Sequence, residues 1–281
     1  MFEALDEHVK SVAAPFSGDL AVALHDFRTG EAYAYNAATP MRAASLIKVP
    51  LLVHALHKVA RAELRLEQRL MLQAEAQVGG SGVLHRFQAG IEPSLHDLLT
   101  LMIIVSDNTA TNLIIELLGL EAANTFITNI GMRQTRLVGK LQVPEAEQNA
   151  AQRRGERNTT TAADMLLLLL GLERGDLLPP AQSETALTIL KQQQFTEALA
   201  RYLPTDAELN SRPVTVASKS GCLRGLWHDA ALVCDQHAQP LYALIIMTEN
   251  AQDQSYSWEQ EGMMLIAKLS AYIYRHLIAQ A

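Results

Sequence analysis

Residues 45–60 read Ser45-Leu46-Ile47-Lys48-Val49-Pro50-Leu51-Leu52-Val53-His54-Ala55-Leu56-His57-Lys58-Val59-Ala60, and Leu46, Val49, Leu52 and Val53 recur at helical spacing. The spacing predicts a helix over 45–60 that sets Ser45 and Lys48 one turn apart on one face. What flanks that helix decides the fold class. Upstream, Phe2, Leu5 and Val9 fit a short amphipathic helix over 2–12, and the segments 20–27 and 31–35, joined by Arg28-Thr29-Gly30, read as an antiparallel hairpin. Downstream, helical signals cover 95–104, 109–118, 121–130 and 161–170, each bounded by Gly, Asn, Asp or Ser. Strand signals return at 214–219, 229–234 and 241–247, and 258–278 closes the chain as an amphipathic helix. This order predicts an α/β protein of the α+β type: an α/β lobe of about 1–44 and 212–281, and a helical lobe of about 45–211.

Composition narrows the function classes. The 281 residues are 49% hydrophobic and 19% charged, enough apolar material for a full core. A formal net charge of -7 without any Lys/Arg block leaves no footprint for a nucleic acid. The longest apolar runs, 165–172 and 241–247, fall short of the roughly 20 residues that cross a bilayer, so no transmembrane segment is expected. The opening MFEALDEHVK is acidic and amphipathic, with no leader features. The expected compartment is cytoplasmic if the sequence is complete, and periplasmic or extracellular if a leader was removed. Cys222 and Cys234 lack CxxC or CxxH neighbours, and no His, Cys and carboxylate set has metal-ligand spacing; no disulfide framework, metal or cofactor is expected.

Three short motifs carry chemistry. In Ser45-x-x-Lys48 an amine lies beside a hydroxyl, and a partly desolvated amine can take the proton of an otherwise poor nucleophile; a helix cap followed by a surface lysine is the other reading. Ser106-Asp107-Asn108 sits between an apolar run and a helix start near Thr109. It reads either as a helix cap or as a second hydroxyl for proton relay with an amide, Asn108, to hold substrate. Lys219-Ser220-Gly221 ends a predicted strand, where Gly221 admits a substrate backbone and Lys219 supplies charge for a carboxylate, unless it is only an exposed turn.

Together, in this order, the three motifs resemble the signature of class A β-lactamases and penicillin-binding proteins. The resemblance, closest to the class A-like serine hydrolases, covers nearly the whole chain. It rests also on the run 104–114, IVSDNTATNLI, and on Asn158-Thr159-Thr160-Thr161. It implies a five-stranded antiparallel sheet with flanking helices, a helical lobe packed on it, and an acyl-enzyme site between them. By the same resemblance Glu145 and Asn149, in a Glu-x-x-x-Asn motif that starts thirteen residues before Asn158-Thr159-Thr160, match the deacylating base and its water partner, and the backbone N–H groups of Ser45 and Cys222 match an oxyanion hole.

The implied activity is that of a serine β-lactamase, a hydrolase of cyclic amides. Ser45 attacks, Lys48 and Ser106 move protons, Glu145 drives deacylation, and Lys219, Ser220 and Gly221 hold the substrate. A related esterase or amidase, a penicillin-binding D,D-peptidase-like enzyme, and a non-catalytic binding protein of the same fold stay open; the expected partner is a small molecule. Two features depart from the pattern. The arginine and aspartate that clamp the loop in relatives are replaced here by Val143 and Asn158, leaving Arg153, Arg154 or Arg157 as other anchors. Near Trp227, where relatives carry a carboxylate-binding arginine, Arg224 is the available cation. His228 and Asp229 are adjacent in a predicted strand and so point to opposite faces, which disfavours a Ser-His-Asp triad.

Overall fold

In strand β1 (Asp19–Asp26), Leu20, Val22 and Leu24 point to one face and Ala21 and Ala23 to the other, and all five are buried. A strand apolar on both faces has to lie inside a sheet covered on both sides. The structure is a computed structural model describing residues 2–204 and 213–278. In it β1 pairs with β2 (Ala32–Tyr35) and with β7 (Pro240–Glu249); β7 pairs with β6 (Leu226–Asp235), and β6 with β5 (Val214–Leu223). Every pairing is antiparallel, and the sheet order is β2-β1-β7-β6-β5. The expected five-stranded antiparallel sheet is present.

Helices α1 (Glu3–Ala13) and α9 (Glu261–Ile278) cover one face, where Leu5, Val9, Met263 and Ile266 pack on Val22, Leu244 and Ile246. The opposite face, with Ala23, Leu232 and Ile245, shares one apolar cluster with the helical middle of the chain. That middle contains α2 (Lys48–Ala60), α3 (Leu95–Ile104), α4 (Asn108–Leu118), α5 (Leu120–Asn129), α6 (Ala150–Arg153), α7 (Ala162–Arg174) and α8 (Pro180–Lys191). Two short strands, β3 (Met41–Arg42) and β4 (Thr159–Thr160), pair beside it. The expected lobe boundary at 211–212 lies outside the described residues.

Three local outcomes differ from the sequence reading. The helix expected from Ser45 starts as a 3-10 turn, Ala44–Ile47, and becomes α-helical only at Lys48. Pro50 has no N–H to give to the carbonyl of Leu46, so the α-helical ladder cannot extend back through the serine. Lys219-Ser220-Gly221 does not end a strand: β5 continues to Leu223, because its register with β6 runs from Val214–Asp235 to Leu223–Leu226 and the chain reverses only at Arg224-Gly225. Helix α8, which has proline in its first turn, is an addition to the expected elements.

Candidate active site

Ser45 sits on the 3-10 turn between the helical middle and the edge strand β5, half-buried at the floor of a cleft of about 840 Å³. The preceding residue, Ala44, has φ 45°, a left-handed value that turns the chain sharply into the serine. Strand β5 passes directly beneath. A Cβ on Gly221 would lie 3.0 Å from the Ser45 nitrogen and 3.2 Å from the Ala44 Cβ. Gly221 therefore serves contact between the strand and the serine turn, with no need to invoke a substrate backbone.

Lys48 is fully buried one turn on. Its Nζ donates to the Ser106 carbonyl oxygen at 2.6 Å and to Asn108 Oδ1 at 3.0 Å, and lies 3.0 Å from Ser106 Oγ. Ser106 Oγ in turn lies 2.7 Å from Ser45 Oγ, and a proton runs from Ser45 to Lys48 when the Ser45 hydroxyl donates to Ser106 and the Ser106 hydroxyl turns to Lys48. Burial, with the charge of nearby Lys219 behind it, pushes the Lys48 amine well below its ordinary pKa. A neutral amine has two hydrogens, and two carbonyl oxygens accept them, so its lone pair is left facing the Ser106 hydroxyl. Ser106 stands between Ser45 and Lys48.

Ser106 adopts φ 54° at the joint between α3 and α4, and Asp107 is the N-cap of α4, accepting from the Ala110 N–H at 2.9 Å. The cap reading and the relay reading thus fall on different residues of one motif. The buried Asp107 carboxylate also accepts from the backbone N–H groups of Val83 and Leu84, each at 2.7 Å. Asn108 donates from Nδ2 to the Gly79 carbonyl at 3.2 Å, while its backbone N–H bonds to the Ser81 carbonyl at 3.1 Å. Segment 78–84, Val-Gly-Gly-Ser-Gly-Val-Leu, is thereby wrapped around the motif, and Gly80 and Ser81 form one lip of the cleft. Sequence reasoning passed over this lip. Its glycines were the available signal: Gly82 has φ 102°, and a Cβ there would lie 2.3 Å from the Asp107 carboxylate.

The facing wall is the loop 139–158. Its ends are tied by an amide and an ion pair: Asn158 Oδ1 accepts from the N–H groups of Val138 at 2.6 Å and Gly139 at 3.2 Å, and Arg136 pairs with Glu156 at 3.0 Å. Gln152 Nε2 donates to the Lys140 carbonyl and Asn149 Nδ2 to the Val138 carbonyl. Arg153 donates to the Gln148 carbonyl, Arg157 to that of Gln152, and Arg154 pairs with Glu156. Asn149 is the N-cap of α6 in a capping box with Gln152. Glu145 is exposed on a 3-10 turn and is absent from the cleft lining, as is Asn149.

On the β5 side, Lys219 and Ser220 are buried just behind the lining and Cys222 lies on it. Burial lowers the Lys219 pKa to about 8, opposed by the carboxylate of Asp229 on β6. Asp229 itself is fully buried; it accepts from the Leu199 N–H at 3.0 Å and is pushed up to about 6 by desolvation. His228 points the other way, with Nε2 and Nδ1 each 2.8 Å from the carbonyl oxygens of Arg42 and Trp227. No His-Asp pair forms between them. Four cations, Arg42, Lys140, Arg157 and Arg224, line the cleft against one carboxylate, Glu156. Arg42 is paired with Glu249 and Lys140 with Glu116, so Arg157 and Arg224 are the lining cations without a carboxylate partner among the described residues. Cys222 and Cys234 are free thiols. Among the described residues no group of three or more His, Cys, Asp or Glu could hold a metal ion, and no helix is long and apolar enough to cross a membrane.

The family model of the beta-lactamase enzyme family matches residues 4–277. The chain is 26% identical over 255 residues to an imipenem-hydrolyzing beta-lactamase of Enterobacter cloacae, covering 89% of this chain and 83% of that protein. To beta-lactamase CARB-4 of Pseudomonas aeruginosa it is 27% identical over 137 residues, which span 48% of this chain and only 47% of that protein. Its structure is similar to that of a beta-lactamase from Sphaerobacter thermophilus DSM 20745, with a TM-score of 0.84, 28% identity and coverage of 99% and 98% of the two chains. It shares the fold of PBP-A equally closely: the TM-score is 0.84, at 23% identity and with 98% and 96% covered.

Proposed function

The chain belongs to the beta-lactamase enzyme family, and from that premise we propose that it opens the β-lactam ring through an ester on Ser45. The observation that carries the proposal is the continuous chain Ser45 Oγ, Ser106 Oγ and Lys48 Nζ, at 2.7 and 3.0 Å, ending on a buried amine of lowered pKa. Ser45 Oγ bonds to the lactam carbonyl carbon as its proton passes to Ser106 Oγ and that of Ser106 passes to the lone pair of Lys48. The tetrahedral oxyanion is held by the backbone N–H groups of Ser45 and Cys222. When the carbon–nitrogen bond breaks, Lys48 returns the proton through Ser106 to the departing nitrogen. Lys219 and Ser220, with Arg224 at the cleft mouth, attract the substrate carboxylate, and Asn108 orients the amide side chain. In this scheme the site lies at the join of two lobes, one containing the sheet and the other the helical middle.

The test is hydrolysis of a chromogenic cephalosporin by the wild-type protein and by Ser45→Ala. Turnover that disappears with the serine supports the proposal. Turnover that survives, or its absence from both proteins together with no acylation of the wild type, overturns it.

A further inference from the structure

Helix α7 carries two apolar stripes. Met165, Leu168, Leu169 and Leu172 are buried in the core, whereas Ala163, Leu166, Leu167 and Leu170 recur at helical spacing on a second side, where Ala163 and Leu167 are exposed. Facing that second stripe is the edge strand β2. Tyr33 and Tyr35 pack into the cluster with α1 and α9, so strand alternation turns Ala32 and Ala34 the other way, toward α7. Ala34 pairs directly with Ala23 of β1, and Ala37 follows, so small side chains stand where large ones would fill the layer between sheet and helix. The result is an apolar slot of about 510 Å³. It lies at the sheet edge opposite β5, about 19 Å from that strand at the usual strand spacing, and so is separate from the serine cleft.

One end of the slot is polar. Arg174 closes the α7 stripe one turn beyond Leu170 and lines the slot together with Asp176; neither takes part in an ion pair among the described residues. His25 faces the same side, because it pairs directly with Ala32, and burial together with the Arg174 charge lowers its pKa. Asp176 is exposed and screened by water, while the guanidinium can turn a two-pronged bond onto an incoming carboxylate. An α-helix is about 10 Å across and does not enter a slot left by missing side chains, whereas an extended alkyl chain does. From Ala163 to Arg174 the stripe runs about 16 Å at the helical rise, which matches a medium-length chain. We propose that this slot binds a free carboxylate with an alkyl chain of about ten to twelve carbons, the chain lying between the α7 leucines and Ala34 and the carboxylate on Arg174. The proposal is independent of the chemistry at Ser45.

The experiment is isothermal titration of the full chain with octanoate, decanoate and dodecanoate below their micelle concentrations, with decanol and decylammonium as neutral and cationic controls. The expected result is one saturable site that tightens about two- to fourfold per added methylene and holds decylammonium about fivefold more weakly than decanoate. Ala34→Leu fills the slot and should weaken decanoate about tenfold or more. Arg174→Gln should weaken decanoate about threefold and leave decanol unchanged; placed at an exposed helix end, it keeps the test open should Ala34→Leu fail to fold. No saturable binding, equal affinity for decylammonium and decanoate, or unchanged decanoate affinity in either folded variant overturns the proposal. Loss of binding in Arg224→Ala would place the ligand in the serine cleft and also overturns it. So does a dimer in sedimentation that Leu167→Lys breaks, which would show a second copy of the chain on this face.

Discussion

Lys48 Nζ and Ser106 Oγ are 3.0 Å apart, and both amine hydrogens of a neutral Lys48 are taken by carbonyl oxygens. The lone pair has one hydroxyl to face, so the basicity of this buried amine is delivered through a second serine. Most of the testable consequences of the site stem from this pair.

Acylation should depend on Lys48 being neutral. Its pKa is lowered by burial first and by Lys219 second, so the amine is free at a pH where an ordinary lysine is charged. As pH falls through that lowered pKa, Lys48 gains a proton and the acylation rate should fall with a slope of one proton. Lys48→Arg, which cannot deprotonate, should acylate about 10²- to 10⁴-fold more slowly at every pH, measured by quenched-flow mass spectrometry with benzylpenicillin.

Ser106→Ala and Glu145→Gln should separate cleanly. The first breaks the chain from Ser45 to Lys48 and should slow acylation by about 10²-fold or more. Glu145 is exposed and outside the cleft lining, so Glu145→Gln should leave both the acylation rate and the adduct lifetime within about twofold of wild type. A Glu145→Gln protein that traps its penicilloyl ester would show that the loop delivers this carboxylate after all.

Lys219 should set an alkaline limit for anionic substrates. Its pKa is lowered to about 8, so above that pH its positive charge is lost, and kcat/KM for a carboxylate-bearing β-lactam should fall while that for an uncharged ester does not. The Asp229 carboxylate raises the Lys219 pKa, so Asp229→Asn should move this alkaline limb to lower pH. For Asp229 itself the sign is the reverse of the usual carboxylate: its folded pKa is raised to about 6, so ionisation costs stability as pH rises through that range. Asp229→Asn should therefore unfold at the same or a higher temperature above pH 6, read by calorimetry.

The lip formed by 78–84 depends on Asp107. Asp107→Ala removes an acceptor for three backbone N–H groups, two of them in the lip, and should cost about 3 kcal/mol of stability. Asp107→Asn keeps the shape with weaker acceptance and should lose less. Gly82→Ala should also destabilise, through its φ of 102° and the 2.3 Å approach to the same carboxylate. Denaturant titration of the three variants gives the order.

Much of the architecture was legible in the chain alone. The segments 20–27, 229–234 and 241–247 read as strands because burial on both faces makes them almost continuously apolar, and 31–35 reads as one through its hairpin turn to 20–27; both signals are local. Ser45, Lys48, Ser106 and Lys219 were found for the same reason: each motif is a few residues long, and its spacing survives without the fold. Other features depend on partners far away in sequence. That Ser106 sits between Ser45 and Lys48 follows from α4 packing beside the serine turn, a contact across about 60 residues of chain. That Asp107 holds 78–84, that Lys219 lies buried within β5 and not at its end, and that the amides of Asn158 and Gln152 tie the ends of the loop while Glu145 faces solvent, are settled by burial and long-range hydrogen bonding. Local pattern supplies the reacting groups; only packing determines which atom of each one meets the next.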